Sequence, residues 1–256
     1  MEKSFVGQTA VITGAGIGIG FEIAKQLCQQ GAQVVLNDID ETVAKAAAEK
    51  LSDLAGQCIP LGGDSSDPAT IEAIIQQAVN RFGKLDLAIA NAGITTFGGF
   101  LDYSVEDFQR LSAVNLQGTF FLAQTAAKQM ITQNSGGSIL MMSSVTGHSY
   151  HPNLAAYGMS KAAIRYLAQH LGVELAKYQI NVNAISPGAT MTERTEALED
   201  GKFEREWNAV TPSGRCATTD EIARTSLFLL SPQNRQITGQ CLVVDGGWTS
   251  LSPPPH

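Results

Sequence analysis

A doubly wound α/β fold, with a seven-stranded parallel sheet covered by helices on both faces, is what this sequence predicts. Three observations carry the expectation. Short apolar runs alternate with helix-period segments along nearly the whole chain. The runs are apolar throughout rather than at every second position, which marks strands buried on both faces. Regular strand–helix alternation also calls for crossover connections, and these are right-handed and build a parallel sheet.

The elements follow in order. Thr9–Thr13 reads as the first strand, and Ile19–Gln30 as a helix ending at Gly31. Gln33–Asn37 is the second strand and Glu41–Leu51 an Ala- and Glu-rich helix. Cys58–Leu61 is the third strand. Pro68–Phe82 is a helix with proline in its first turn, where the missing N–H is not needed. Leu85–Ala90 is the fourth strand, Ser104–Met130 holds one or two helices, and Ser138–Met142 is the fifth strand. Tyr157–Tyr178 reads as a long helix, Asn181–Ile185 as the sixth strand, Asp220–Leu230 as a helix and Cys241–Val244 as the last strand. Thr190–Ala217 has no clear period and is expected to be a lid, because long unpatterned connections in compact domains tend to have that role. No linker or repeat intervenes, so residues 1–256 are expected to form one domain, with Ser252–His256 as a tail.

Composition narrows the function. There are 17 basic and 24 acidic residues, a net charge of −7. That argues against nucleic acid and anionic membrane surfaces as partners, since both reward clustered Lys and Arg. No apolar run approaches the roughly 18 residues of a membrane span. Met1–Ser4 leads into a strand without a signal-peptide pattern. Cys28, Cys58, Cys216 and Cys241 form no C-x-x-C pair, and no zinc-ligand spacing is present. A cytoplasmic, free-thiol protein without a metal is the expectation. Charged residues make up 16% of the chain, which leaves room for subunit contacts.

In open parallel sheets, ligands bind beyond the carboxyl ends of the strands. After the first strand comes Thr13-Gly14-Ala15-Gly16-Ile17-Gly18-Ile19-Gly20, opening a helix. Glycines let the backbone approach a pyrophosphate, and a helix N-terminus supplies free N–H groups and a positive dipole end. A glycine turn can also serve helix–strand packing alone. Asp38 ends the second strand, where a carboxylate can accept from the ribose hydroxyls of a dinucleotide. The same residue could cap the helix near Glu41. A carboxylate repels a 2′-phosphate, and Ile17 offers no positive charge to receive one, so NAD is favoured over NADP. Asp64, with Ser65 beside it, could take the adenine amino group or be a plain loop acid. Asn91, Ala92 and Gly93 follow the fourth strand, where small residues let backbone pass close to a ribose.

Ser144 stands at the end of the fifth strand, with Tyr157 and Lys161 further on. Residues at i and i+4 share a helix face. A phenol with pKa near about 10 is a poor base at neutral pH, but an adjacent ammonium favours the phenolate. Tyr157 would then exchange protons near working pH. Taken alone, the pair also fits a buried aromatic beside a snorkelling lysine.

Thr13–Gly20, Asn91-Ala92-Gly93, Asn115, Ser144, Tyr157-Gly158-Met159-Ser160-Lys161 and Pro187-Gly188 together resemble the short-chain dehydrogenase/reductase family, in its shorter-subunit branch. The resemblance runs down to Val243-Val244-Asp245-Gly246-Gly247. It implies a Rossmann-type fold, a nicotinamide cofactor, a homotetramer and a Ser–Tyr–Lys–Asn site. By that resemblance Tyr157 exchanges the proton with the substrate oxygen, and Ser144 hydrogen-bonds that oxygen. Lys161 depresses the tyrosine pKa and holds the nicotinamide ribose. Asn115 holds a water that passes protons towards Lys161. Ser144 could otherwise be a strand-end serine and Asn115 a helix-bend residue. Pro187-Gly188-Ala189-Thr190-Met191-Thr192 resembles the stretch that meets the nicotinamide carboxamide. Thr190 replaces the usual apolar residue there, and Thr192 fits the side-chain role. Ala90 replaces the first asparagine of the family's Asn-Asn-Ala-Gly.

The implied reaction moves a hydride between the cofactor and a secondary alcohol or ketone: a sugar or polyol, a simple alcohol, or a 3-oxoacyl substrate. The alternatives are a catalytically silent NAD-binding sensor or scaffold, an NADPH-dependent 3-oxoacyl thioester reductase, or a nucleotide-sugar epimerase. Thr95, Thr96, Phe97, His148, Tyr150, His151, Phe203 and Trp207 are pocket candidates, without an evident Arg clamp. His148 could bind a hydroxyl or be a solvated loop residue. An Ala-rich face around Ala155, Ala156, Ala162, Ala163 and Ala168 would allow close helix approach between subunits.

Overall fold

Alternate residues of each central strand point to opposite sides of the sheet, and both sides are covered. Ala10, Ile12, Val34 and Leu36 pack with Ile23, Leu27 and Leu227 on one face. Val11 and Val35 pack with Ile71, Ile74, Leu122 and Ile164 on the other. This two-sided burial is why the strands read as unbroken apolar runs. The structure is a computed structural model describing residues 4–197 and 201–251. Met1–Lys3, the 198–200 part of the expected lid and the Ser252–His256 tail lie outside the described residues.

The strands of the main sheet are β1 (Thr9–Ile12), β2 (Gln33–Asp38), β3 (Gln57–Gly62), β4 (Leu87–Ala90), β5 (Gly137–Met142), β6 (Ile180–Pro187) and β9 (Cys241–Val244). They lie in the order β3-β2-β1-β4-β5-β6-β9, every pairing parallel. The seven expected strands are therefore the observed ones. The order reverses between β1 and β4, and the loops leaving these two strands open the crevice where ligands bind.

The helices over the faces are α1 (Gly18–Gln29), α2 (Glu41–Glu49), α3 (Pro68–Phe82), α4 (Val105–Ser112), α5 (Thr119–Thr132), α6 (Ala155–Glu174) and α9 (Thr219–Leu230). Local chemistry sets their ends. Asp40 caps α2, Asp67 caps α3 ahead of Pro68, and Gly83 closes α3 in the left-handed region at φ +84°. The 104–130 stretch resolves into two helices joined by a π-helical turn, Ala113–Gly118. The long helix expected to reach Tyr178 stops at Glu174, and a separate 3₁₀ turn covers Ala176–Tyr178.

The expectation of an unpatterned lid is corrected. Strands β7 (Thr190–Met191) and β8 (Ala217–Thr218) pair in parallel and close the base of the excursion. Between them lie α7 (Glu193–Glu196) and α8 (Lys202–Val210). β7, β8 and α7 are too short to print a period on the sequence, whereas α8 is as long as α2 and has one amphipathic face that the sequence reading missed. The Ala-rich face of α6 is also corrected. Ala156 and Ala168 are buried within the chain. The outward face of α6 instead carries Ala155, Met159, Ala163, Tyr166, His170 and Val173.

Candidate active site

Gly14 adopts φ +59°, and a Cβ there would come within 2.8 Å of the Ala92 Cα. Only glycine lets the loops after β1 and β4 meet this closely. The Asn91 carboxamide buckles them, donating to the Thr13 and Gly14 carbonyls at 3.1 and 2.7 Å. The Ala92 N–H adds a bond to Thr13 Oγ1 at 3.2 Å. Asn91 thus shapes the glycine loop itself. Ile19 packs into the core and Gly20 is buried, while Ile17 faces outward. Helix α1 begins with no side-chain cap and no acid in its first turn, leaving its N–H groups for an anion. The Gly18 N–H donates to Glu193 Oε2 of α7 at 3.0 Å. The Glu193 carboxylate therefore occupies the mouth of α1, where an anion would be held.

At the end of β2 the Asp38 carboxylate accepts from the Gly16 N–H at 3.0 Å and the Asp40 N–H at 3.3 Å. A Cβ on Gly16 would sit 2.7 Å from Asp38 Oδ2. The capping role open to Asp38 belongs to Asp40, whose Oδ1 accepts from Thr42 and Val43 at 2.8 and 3.3 Å. Asp38 is left facing the glycine loop, as a ribose acceptor requires. Asp64 is exposed and accepts from the Ser66 N–H at 2.8 Å, shaping its own turn. Ser65 is buried beside the Gly118 backbone.

The catalytic candidates converge from three elements. Ser144 opens a 3₁₀ turn, Val145–Gly147, and its Oγ accepts from Thr146 Oγ1 at 3.0 Å. Ser144 and Thr95 both hydrogen-bond the Tyr157 hydroxyl. Lys161 is 3% exposed, donates to the Met142 carbonyl at 2.8 Å and lies 5.5 Å from the Tyr157 ring centroid. Ser143 ties the end of β5 to α6 through the Lys161 carbonyl at 2.7 Å. The Asn115 carboxamide is engaged by Ile94 N–H, Ile94 O and Ser160 Oγ at 2.8, 3.0 and 3.2 Å. It fastens the π turn to the strand-end loop. A Cβ on Gly93 would lie 3.3 Å from Lys161 Nζ and 3.4 Å from Asn115 Oδ1, so Gly93 keeps this corner open.

Burial raises the Tyr157 pKa above its ordinary 10, while bonds to Ser144 and Thr95 and the Arg194 charge pull it back. Burial lowers Lys161 to about 8. Lys161 is not among the groups that pull the phenol down. The ammonium lies over the ring rather than at the hydroxyl, and desolvation wins.

Gly188 follows β6 against β9, donating to the Val244 carbonyl at 2.9 Å, with Pro187 as the last residue of β6. The Thr190 hydroxyl turns back onto the Gly188 carbonyl at 3.0 Å, and its own carbonyl accepts from Thr195 Oγ1 at 3.1 Å. Thr192 caps α7, its Oγ1 accepting from the Thr195 N–H at 3.2 Å. In the excursion between β7 and β8, Trp207 stacks on His151 at 5.9 Å and meets Trp248 edge-on at 5.4 Å and Phe203 at 6.2 Å. A cavity of about 550 Å³ lined by Arg215, Glu221, Arg224 and Phe228 holds none of the catalytic candidates. Glu193 and Arg194 were not singled out from the sequence. Their only signal is adjacency to Thr192.

A phosphate-ready helix end, a strand-end carboxylate and a serine, tyrosine and lysine at the crevice define a dinucleotide-dependent redox site. Residues 14–249 match the family described as enoyl-(acyl carrier protein) reductase. The chain is 36% identical to L-rhamnose 1-dehydrogenase (NAD(P)(+)) of a Sphingomonas strain, over 96% of this chain and 97% of that one. It is 34% identical to 7alpha-hydroxysteroid dehydrogenase of Escherichia coli, over 94% of each. A short-chain type dehydrogenase/reductase crystal structure from Mycobacterium marinum superposes with a TM-score of 0.91 at 34% identity, covering 96% of this chain and 97% of that one. The chain belongs to the short-chain dehydrogenase/reductase family and is an NAD(P)-dependent oxidoreductase of CH–OH groups.

Proposed function

We propose that the protein oxidises a secondary hydroxyl of a sugar or polyol with NAD, and reduces the matching carbonyl in reverse. The observation that carries this reading is the convergence of the Ser144 and Thr95 hydroxyls on the Tyr157 hydroxyl, over a buried Lys161. When bound, the nicotinamide ring supplies the hydride acceptor or donor. Tyr157 Oη takes the hydroxyl proton as the carbinol carbon gives up its hydride, and returns it in reduction. Ser144 Oγ donates to the same substrate oxygen and polarises it. Lys161 Nζ, anchored on the Met142 carbonyl, holds the nicotinamide ribose. Asn115 keeps the proton path at Gly93 open.

For the cofactor, Gly14, Gly16, Gly18, Ile19 and Gly20 form the pyrophosphate loop, with Ile17 facing the adenosine ribose. Asp38 accepts from the ribose hydroxyls, and Asp64 and Ser65 flank the adenine. Asn91, Ala92 and Gly93 line the ribose path. Pro187, Gly188, Thr190 and Thr192 meet the carboxamide. The close approaches at Gly14 and Gly16, and the carboxylate already seated on Gly18, support a fit to a dinucleotide. The hydroxyls of Thr95, Thr96, Tyr103 and Thr146 favour a hydroxyl-rich substrate, as does the likeness to the rhamnose enzyme. Residues 190–217 act as the lid. The working form is a cytoplasmic homotetramer. The free thiols of all four cysteines support the compartment, and the outward stripe of α6 supports assembly.

Tyr157→Phe keeps the ring and removes the titrating group. Its kcat is expected to fall about 10²–10⁴-fold on a panel of sugars, polyols, simple alcohols and 3-oxoacyl thioesters, with NAD affinity nearly unchanged. Retention of more than about a tenth of wild-type kcat would overturn the assignment.

A further inference from the structure

His148 is half-buried, with one edge of its ring turned into the fold. Its Nε2 lies 2.9 Å from Ser186 Oγ, and its Nδ1 lies 3.1 Å from an Arg165 nitrogen. Ser186 Oγ in turn lies 3.1 Å from Cys241 Sγ. Arginine only donates, so Nδ1 must carry the lone pair and Nε2 the proton. The bonds then run one way: Arg165 to His148, His148 to Ser186, and Ser186 to Cys241. Only a neutral imidazole completes this chain. A second ring proton would point at the guanidinium and break the Arg165 bond.

The chain joins the three segments that carry the site. His148 ends the turn that Ser144 begins, with its own N–H on the Val145 carbonyl at 2.9 Å. Arg165 lies one turn beyond Lys161 on α6. Ser186 immediately precedes Pro187 and Gly188. The Ser144 turn also presses directly on α6, since a Cβ on Gly147 would lie 2.7 Å from the Lys161 carbonyl carbon.

We propose that His148 is a positioning residue. Its neutral, Nε2-protonated ring locks the Ser144 turn to the Tyr157–Lys161 helix and to the strand entering Pro187, and protonation releases the lock and ends activity on the acid side. The inference rests on the reading of Ser144 and Tyr157 given above. The groups facing the ring are Arg165 on α6, Ser186 on β6, Cys241 on β9 and Asp245 just after β9. Burial and then the Arg165 charge lower the His148 pKa, and Asp245 only partly opposes them. The Asp245 carboxylate is itself taken by Gly247 N–H, Thr249 N–H and Thr249 Oγ1 at 2.9, 2.7 and 2.7 Å. Burial and the Arg165 charge thus both favour the neutral ring.

The test compares wild type, His148→Ala and His148→Gln. Glutamine can accept from Arg165 and donate to Ser186, but does not titrate. His148→Ala is expected to lower kcat about 10- to 100-fold, as misplacement of a reacting group does, while NADH affinity stays within about 2-fold. His148→Gln should recover most of that loss and extend activity to lower pH. An alanine variant with wild-type kcat and acid limb overturns the proposal. Two readouts need no turnover. NMR titration should show an Nε2–H ring titrating below about 6.5. Amide exchange at residues 144–149 should rise through that pH in wild type beyond the intrinsic rate, but not in His148→Gln. A ring titrating at or above about 6.5, or exchange that ignores its protonation, overturns the lock even if no substrate is found. Wild-type activity in Tyr157→Phe would sink the catalytic reading and leave these two results standing.

Discussion

The two oxygens of Asp38 each hold one backbone N–H, at 3.0 and 3.3 Å, and a carboxylate oxygen has room for a second donor. Asp38→Ser should therefore weaken NAD by about 1–3 kcal/mol, the range for hydrogen bonds to a charged group, while easing the repulsion of NADP. Comparison of kcat/KM for the two cofactors checks this, and a wild type that prefers NADP would refute it. Lys161 offers a second prediction. Its pKa falls from 10.5 to about 8 on folding, so the folded chain binds fewer protons than the unfolded chain between these values. Stability then rises as pH climbs through that window, and the buried ammonium costs about 3 kcal/mol below it. Lys161→Met should melt higher than wild type at pH 7, with the advantage gone above about pH 10.5. A Met variant that melts lower throughout would refute the sign. Asp38, Tyr157 and Lys161 were legible because strand ends and i, i+4 spacing are local properties. The inward turn of His148 was not, since its partner Ser186 lies far along the chain.

Among the elements, α1 and α7 meet through one carboxylate. The Gly18 N–H on Glu193 occupies the helix end that a pyrophosphate needs, so cofactor entry must displace or repel that side chain. Glu193→Gln removes the charge and keeps the size. NAD should bind about 2- to 5-fold more tightly to it by calorimetry, in line with roughly 0.3–1 kcal/mol for a charge at a helix end. Weaker binding would mean that Glu193 assists the cofactor instead. The glycine loop and its helix were readable as a pair, because turn chemistry and the apolar period adjoin. The partner at 193 was not, because nothing local distinguishes this acid from its exposed neighbours. The same holds for α7, whose single turn leaves no period to read, and for Asp40, which took the cap that Asp38 could have filled.

For the whole molecule, the two-sided core made the parallel sheet legible, since burial on both faces writes itself as unbroken apolar runs. Assembly was less legible. Alanines on α6 suggested a subunit face, but two of them lie inside the chain, and the outward stripe holds Tyr166 at 67% and Val173 at 79% exposure. Large apolar side chains left in water along a long helix invite a partner. Tyr166→Asp should shift the molar mass in light scattering towards dimer or monomer, with the circular dichroism of the fold retained. An unchanged mass would count against a subunit contact through this stripe.

The β7–β8 pairing has a consequence for how this fold diversifies. Because Thr190–Met191 and Ala217–Thr218 clasp the two ends of the excursion, the segment between them leaves and re-enters the body at nearly one point. Lengthening a loop whose ends are already joined is cheap, about 0.6 kcal/mol for each doubling. Insertions or deletions there would reshape this excursion without disturbing the register of the main sheet. Selection can thus retune which molecule is admitted while the chemistry beneath is inherited unchanged.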